Sequence, residues 1–542
     1  MNRRRWILGL PILLFLLTVA LGGIFLRDVV ASEGNIYSEL ALFNEVLHLI
    51  SDYYVEDVAA DSLIEGAVVG MLDRLDPHSN YMNAERFNRM EERNRGSYSG
   101  IGISFAIRDG RLTVISPIEG GPSYELGIRS GDIITHIEGE SAYGIKEQEV
   151  FDQLRGPKGS HVRVTIRRDG EPEPFDVEII RDNIPIQSVP YAFMLRPQVG
   201  YIMMRNFSAR TADELETALR ELKAEGMEQL VLDLRQNSGG YLNAAVEVSE
   251  KFLHKGQEVV HTKGRIAGSS EEYEASGDPP YAELPLVVLI DHGSASASEI
   301  VSGAVQDWDR GIVAGATSFG KGLVQRQYRL RNDGALLLTV ARYYTPSGRL
   351  IQRPYEAGER EDYYRHAGEN GEAEVDSTDR PVYETLVRRR PVYGGGGITP
   401  DVIIDDVYRT SALYRRLAFD RKFFDFAKEV LADEDLSYGD DFTAFLEGYE
   451  VPDGTLDRFR TFLEADSVDF EPDTLAVHAA EMERGIRAEL ARYLWGEEER
   501  YRVLVADDPV LRRALQLLPE SIAMLTETRR LEEMQSRGKA DL

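Results

Sequence analysis

Five apolar residues, Leu286-Val-Val-Leu-Ile290, run without a break into Asp291-His-Gly-Ser-Ala-Ser-Ala-Ser298, and this junction limits the fold more tightly than any other part of the chain. An uncharged run of this length, rich in β-branched residues, suits a strand buried on both faces. The small residues after it permit a sharp turn. Glu299-Ile-Val301 marks the start of a helix that continues to Asp307. A second apolar piece, Gly311-Ile-Val-Ala-Gly315, leads into Thr317-Ser-Phe-Gly-Lys-Gly-Leu-Val-Gln325. The order is strand, tight turn, helix, strand, then a lysine between glycines. Such an order belongs to an α/β architecture.

A serine hydroxyl is a weak nucleophile until a neighbouring base takes its proton. Lysine serves as that base only when neutral, a state favoured by apolar surroundings. Lys321 stands between Gly320 and Gly322, among Phe319, Leu323 and Val324, in a chain with ten lysines against 52 arginines. Ser296 lies where a strand turns into a helix. A side chain at such a corner faces outward, and the backbone N–H groups behind it can hold an oxyanion. The pattern reads Ser296 as nucleophile and Lys321 as general base. Plainer readings fit the same residues: Lys321 snorkelling from a strand end, and Gly293–Ser298 as a close-packed helix start. Ser318-Phe-Gly-Lys321 is formally a Ser-x-x-Lys pair, but that chemistry needs one helical turn. Gly320 and Gly322 disfavour a helix there, and no Ser-Asp-Asn or Lys-Thr-Gly partner occurs in the sequence.

Composition narrows the chemistry further. With no cysteine the chain has no disulfide, thiol nucleophile or cysteine-based zinc site. Its nine histidines show no His-Glu-x-x-His spacing, so neither a metal nor a cofactor is called for. A net charge of −30 argues against nucleic acid as a partner. Arg3-Arg-Arg5 precedes Trp6–Leu26, 21 residues without a charge. That length spans a bilayer as a helix, and the arginines keep its start cytoplasmic. A cleaved signal peptide, with Val29-Val-Ala31 as the site, is the competing reading. Either way the body lies on the exported side of the cytoplasmic membrane, the periplasm.

The rest of the 542 residues divides by pattern. After the 1–34 anchor or signal segment, residues 35–95 read as helices. Leu40, Phe43, Leu47 and Ile50 recur at helical spacing, and Pro77 ends the second apolar face. Residues 96–183 read as a small β-rich domain, with strands at 101–106, 112–115, 133–137 and 162–166 and a helix at 147–155. Residues 184–406 read as the α/β core, with strands at 199–204, 230–234, 257–261 and 335–341 and helices at 211–225 and 243–252. Residues 264–278 read as a mobile continuation, and 355–390 as an exposed insertion without clear period. Residues 407–542 are acidic and helical, with amphipathic helices beginning near Leu413, Met482 and Val510. This part reads as a cap or oligomer arm, or as an appendage that adds only stability.

Taken together, Gly293-Ser-Ala-Ser-Ala-Ser-Glu-Ile300 followed by Phe319-Gly-Lys-Gly-Leu-Val-Gln325 resembles the C-terminal processing (tail-specific) serine peptidases. Asp233-Leu-Arg-Gln-Asn-Ser-Gly-Gly240, Leu75-Asp-Pro-His-Ser-Asn-Tyr81 and the closing Gly396-Gly-Ile-Thr-Pro-Asp401 also resemble family segments, although Ser238 and Tyr241 depart from the usual glycine and leucine. The resemblance implies a multidomain α/β protein with an N-terminal helical segment, a PDZ domain inserted before a ClpP/crotonase-like peptidase core, and a C-terminal helical extension. It implies a serine endopeptidase that cleaves proteins near their C-termini with a Ser296–Lys321 pair. Gln325 would orient Lys321, and the Gly240 and Ala297 amides would form the oxyanion hole. In the PDZ-like part, Gly100, Ile101, Gly102 and Ile103 match the loop that takes a peptide carboxylate, with Val150 and Leu154 lining the groove. Arg155 reads either as a groove or hinge residue or as a surface cation. Partners implied are protein substrates with exposed tails, the membrane through the N-terminal helix, and a second copy through the N-terminal helices. The alternative from another class is a catalytically dead PDZ scaffold that binds tails of exported proteins.

Overall fold

The computed structural model describes residues 36–118, 120–368, 380–404, 410–433, 438–439 and 441–540. The apolar Trp6–Leu26 segment lies outside the described residues, among which no helix is long and apolar enough to cross a membrane. The chain forms two compact units.

The first unit comprises residues up to Tyr81 with Ala357–Arg360. It holds helix α1, 36–53, and α2, Ala60–Leu72. Leu40, Leu42, Phe43, Val46 and Leu49 of α1 are exposed. After α2 the chain turns at Pro77. Asp76 fixes the turn by accepting from the N–H groups of His78 and Ser79 at 2.9 and 2.8 Å. Asp73 accepts from the Gly358 N–H and faces Arg360 at 3.4 Å.

The second unit holds everything else that is described. It opens with α3, Ala84–Arg95, whose start is capped by the Asn83 side chain. Strand β1, Ser97–Gly100, then leads into an antiparallel sheet. Its strands are β2 (Ile103–Arg108), β3 (Arg111–Pro117), β4 (Ile133–Ile137), β5 (His161–Arg167) and β6 (Phe175–Ile180), and helix α4 (Glu147–Leu154) closes the sheet over a core of Leu112, Val114, Ile134, Val150 and Val164. Strand β7, Asp182–Pro185, returns to pair with β1. The alternation of apolar residues located these strands to within a few positions.

The α/β part is built on a sheet of six strands. In chain order they are β8 (Tyr191–Arg196), β9 (Val199–Met203), β10 (Gln229–Asp233), β13 (Leu286–Ile290), β14 (Ile312–Gly315) and β17 (Val402–Ile403), and they neighbour one another in that order. Only β8 runs antiparallel. Helices α5 (Thr211–Ala224), α6 (Leu242–Ser249) and α7 (Ala297–Asp307) cover one face. Beside them, β11 (Glu258–Gly264), β12 (Glu272–Glu274), β15 (Leu323–Arg329) and β16 (Ala335–Tyr344) share a second sheet.

Two sequence expectations need correction. The continuation after β11 folds back as β12 and pairs with it, because Glu272-Tyr-Glu274 finds an open sheet edge. The insertion is not simply exposed. It carries α8, Arg360–Gly368, and Tyr363, Thr385 and Val387 are buried. Its aromatic and arginine residues pack in pairs, which leaves no helical or strand period to read.

The C-terminal extension has two parts. Helices α9 (Ala412–Phe419), α10 (Lys422–Asp433), α11 (Ala479–Leu494) and α12 (Glu497–Ala506) surround a separate core rich in phenylalanine. The single helix expected from Leu413 to Val430 is broken, because Arg421 takes φ 56° between α9 and α10. The last helix, α13 (Pro509–Ala540), leaves this bundle and packs on the other face of the six-stranded sheet.

Candidate active site

The turn after β13 is stitched to the loop after β10. Asp291 accepts from the Gln236 N–H and side-chain amide at 2.8 and 2.6 Å. Ser294 Oγ donates to the Leu234 carbonyl. The Asn237 carbonyl accepts from the Ala295 N–H at 3.0 Å and from Ser298 Oγ at 2.8 Å. Held this way, Ser296 adopts φ 55° and ψ −111°, outside the regions an L-residue favours. It is the last residue before α7, with its side chain partly open to solvent.

Lys321 follows in the glycine-flanked loop before β15. Its Nζ donates to Gln325 Oε1 at 3.0 Å. The pairing of β15 with β16 is irregular between Val324 and Gln325, where a bulge re-aims the chain. Arg353 covers the rings of Phe319 and Tyr363 at 4.9 and 4.4 Å. Gln352 bridges inward, accepting from the Gly322 N–H at 2.8 Å and donating to the Tyr363 hydroxyl at 3.1 Å. Helix α8 thus walls one side of the lysine loop.

Two buried residues that the sequence reading passed over tie the serine and lysine segments together. Glu299 Oε2 accepts from the N–H groups of Ser296 at 2.7 Å and Lys321 at 2.9 Å. Its Oε1 accepts from Ser318 Oγ at 2.6 Å and the Gly320 N–H at 2.7 Å. Burial pushes the Glu299 carboxyl above its ordinary range, opposed by these four hydrogen bonds. Ser318 Oγ also accepts from the Ile398 N–H, so its own proton is directed at Glu299. All four partners being donors, the carboxylate form fits the site. The Tyr343 hydroxyl reaches the carbonyls of the same two residues, Lys321 at 2.7 Å and Ser296 at 3.1 Å. Burial, then the Glu299 charge, hold this phenol well above its usual range, so it remains a donor. Glu299 had a sequence signal: it stands three residues after Ser296, the spacing of a capping box. Tyr343 had none.

Gly239 and Gly240 reach the serine turn from β10. A Cβ on Gly239 would lie 2.9 Å from both Ser296 Cβ and the Ala297 nitrogen. A Cβ on Gly240 would lie 2.0 Å from the Phe207 carbonyl oxygen. Gly239 C=O and Tyr241 N–H both bond to the Phe207 backbone, which turns the Gly240 N–H away from Phe207. The Ala297 N–H opens α7 and lies among the donors that a helix start cannot satisfy internally. The Gly240 and Ala297 amides therefore flank the serine corner.

In the β-rich domain, Ile101, Gly102, Ile103, Val150 and Leu154 line one small cavity of about 30 Å³. Gly100 is not among its walls. It sits behind Tyr98, where a Cβ would meet the ring at 3.1 Å. Arg155 lies at this cavity, stacked on Tyr98 and Phe151 at 4.6 and 4.8 Å and paired with Glu92 of α3 at 2.8 Å. The surface-cation reading of Arg155 does not hold.

Comparison with known proteins adds independent findings. The profile of peptidase family S41 matches residues 198–362, and a PDZ domain profile matches residues 113–168. The profile of the N-terminal domain of the activating protease CtpB matches residues 27–86, and a family of unknown function matches 412–496. A carboxy-terminal-processing protease of Bartonella bacilliformis is 40% identical over 325 residues, which are 59% of this chain and 74% of that one. The carboxy-terminal processing protease CtpB of Bacillus subtilis is 37% identical over 309 residues, 56% of this chain and 64% of its own. Among solved structures, a photosystem II D1 C-terminal processing protease aligns at 26% identity over 69% of this chain and 95% of its own, with a TM-score of 0.35.

Proposed function

The chain belongs to peptidase family S41 as a carboxy-terminal processing protease, a serine peptidase with a PDZ domain, and from that premise we propose which residues do the chemistry. Neutral Lys321 takes the Ser296 proton as Oγ bonds to the carbonyl carbon of a peptide. The Gly240 and Ala297 amides stabilise the oxyanion, and loss of one such donor costs roughly 3–4 kcal/mol in the transition state. The lysine ammonium then protonates the departing amine as the C–N bond breaks. Water then attacks the acyl carbon, Lys321 takes its proton, and that proton passes to Ser296 Oγ as the ester C–O bond breaks. Gln325 orients the amine. The PDZ groove at Ile101–Ile103, Val150 and Leu154 takes the substrate's tail, the PDZ domain following the N-terminal helices and preceding a ClpP/crotonase-like core in chain order.

One observation carries this reading: a single carboxylate and a single phenol join the backbones of Ser296 and Lys321 at a strained corner beside the Gly240 and Ala297 amides. The test is cleavage of a protein substrate with a free C-terminal tail. Ser296→Ala, Lys321→Ala and Lys321→Arg are each expected to lose turnover, the last because a guanidinium cannot act as base near neutral pH. Turnover by Ser296→Ala would end the assignment.

The same reading places the protein on the exported side of the cytoplasmic membrane, held or led there by Trp6–Leu26 behind Arg3–Arg5. The exposed apolar residues of α1 favour a homodimer through the N-terminal helices. Protease accessibility in spheroplasts and sedimentation of an α1 variant with Phe43→Glu test these two statements: a body still protected once the outer envelope is opened sinks the exported location, and an unchanged sedimentation coefficient sinks the dimer.

A further inference from the structure

The loop that carries Gly240 is held from two sides. Inside the core, the Asn237 amide donates to the Met204 carbonyl and its oxygen accepts from the Gly239 N–H. The other hold comes from the C-terminal extension. Arg235, two residues past the end of β10, has a side chain only 18% exposed. Its Nη2 donates to Asp233 at 2.6 Å and to Asp508 Oδ2 at 2.7 Å. Asp508 stands just before α13, and its Oδ1 accepts from the N–H groups of Val510 and Leu511 at 2.8 and 3.2 Å. Tyr501 of α12 adds a second tie. Its hydroxyl lies 3.0 Å from that of Tyr201, which donates to Asp233 at 2.8 Å. The Tyr501 ring stacks on Tyr191 at 3.8 Å.

A carboxylate that only capped α13 would have no need of an arginine from the core. Asp508 instead caps with one oxygen and directs the other to the residue that joins β10 to the glycine loop. Burying such a pair is costly, and removing one partner strands the other charge. We propose that the extension is a working part of the active site, in which Asp508 acts through Arg235 as a positioning residue for the Asp233–Gly240 loop and hence for the Gly240 amide. The inference rests on reading Gly240 as an oxyanion donor.

Asp508→Ala would remove cap and ion pair together, so Asp508→Asn in the full chain is the informative variant. Its amide oxygen still caps Val510 and Leu511, while the charge facing Arg235 is gone. The expected result is a lowered melting temperature with the chain still folded at the assay temperature, since Arg235 keeps Asp233 as a partner, an unchanged KM for a tail-bearing protein substrate, and a kcat per folded molecule lower by about tenfold. That loss is short of the roughly 10²-fold that a 1 Å misplacement costs. Added to an Arg235→Met background, Asp508→Asn lowers kcat no further. Wild-type kcat in the single variant, or additive losses in the double variant, overturns the proposal. Should Arg235→Met fail to fold, the single variant decides alone. The Ser296→Ala control separates the two ways of failing. Residual cleavage by Ser296→Ala removes the mechanism itself, whereas an inert Ser296→Ala beside a fully active Asp508→Asn removes only the role of the extension.

Discussion

Glu299 and Tyr343 divide one task between them: the carboxylate binds N–H groups of Ser296 and Lys321, and the phenol binds their carbonyls. Glu299→Gln tests the first half without changing shape. In either orientation the new NH₂ faces two donors, so two N–H or O–H groups lose an acceptor at about 1–3 kcal/mol each. Relief of the buried charge offsets part of this, since burial holds the Glu299 carboxyl above its ordinary range. The expected outcome is a modest fall in the urea midpoint and a fall in kcat of at least tenfold with KM little changed. A variant as active as wild type would show that the clamp does not set the catalytic geometry. At this scale the small-residue and apolar flanks singled out Ser296 and Lys321 in the sequence, and the family resemblance added Gln325, Gly240 and Ala297; the structure brings their segments together, and their roles are those proposed above. Tyr343 was illegible. Its contact with Ser296 spans 47 positions, and a tyrosine on a strand is ordinary until that strand's neighbours are known.

Helix α8 shows the limit at the scale of elements. The strands and helices of the two sheets follow from period and punctuation, since one face or both must leave water. Residues 355–390 offered no such period, yet α8 puts Tyr363 beside Phe319 and bonds it to Gln352, which in turn holds Gly322. The wall this makes keeps water from one side of the lysine loop. Tyr363→Ala should let water in. A better solvated ammonium gives up its proton less readily, so the ascending limb of kcat against pH should move to higher pH, with activity recovered at alkaline pH. A limb that stays in place, measured as a full pH profile on the same substrate, would mean α8 does not govern the environment of Lys321. The kink at Arg421 was hidden for a related reason: the apolar residues of α9 and α10 keep helical spacing across the break, and only the backbone reverses.

At the scale of the whole molecule, a sheet of parallel strands buries both faces, and adjacent residues of these strands do point to opposite sides. Leu232 and Val288 meet α5, α6 and α7, whereas Val231, Val287 and Leu289 meet Leu511, Ala514, Leu517 and Leu518 of α13. The amphipathic pattern from Val510 onward said that one face of this helix is buried, but a helix pattern cannot say against what. That is why the C-terminal region read equally well as an arm, a cap or an appendage. Its last helix is instead the second layer of the catalytic sheet, tied across by Ser521 Oγ, which accepts from the Leu286 N–H at 2.9 Å. The consequence can be tested within one helix. Leu517 is fully buried against the sheet, and Ile522 is 43% exposed. Leu517→Asp places an unpaired charge in the sheet–helix interface, where the group lacks any compensating hydrogen bond. Ile522→Asp puts the same charge in water. The first should unfold the peptidase or reduce it to an insoluble product, with activity lost in proportion to the folded fraction. The second should keep the unfolding free energy of the parent within about 0.5 kcal/mol. If Leu517→Asp unfolded only the C-terminal helices and left a soluble, active peptidase behind, α13 would not be a layer of the catalytic sheet, and the coupling of Asp508 to the glycine loop would lose its structural basis as well.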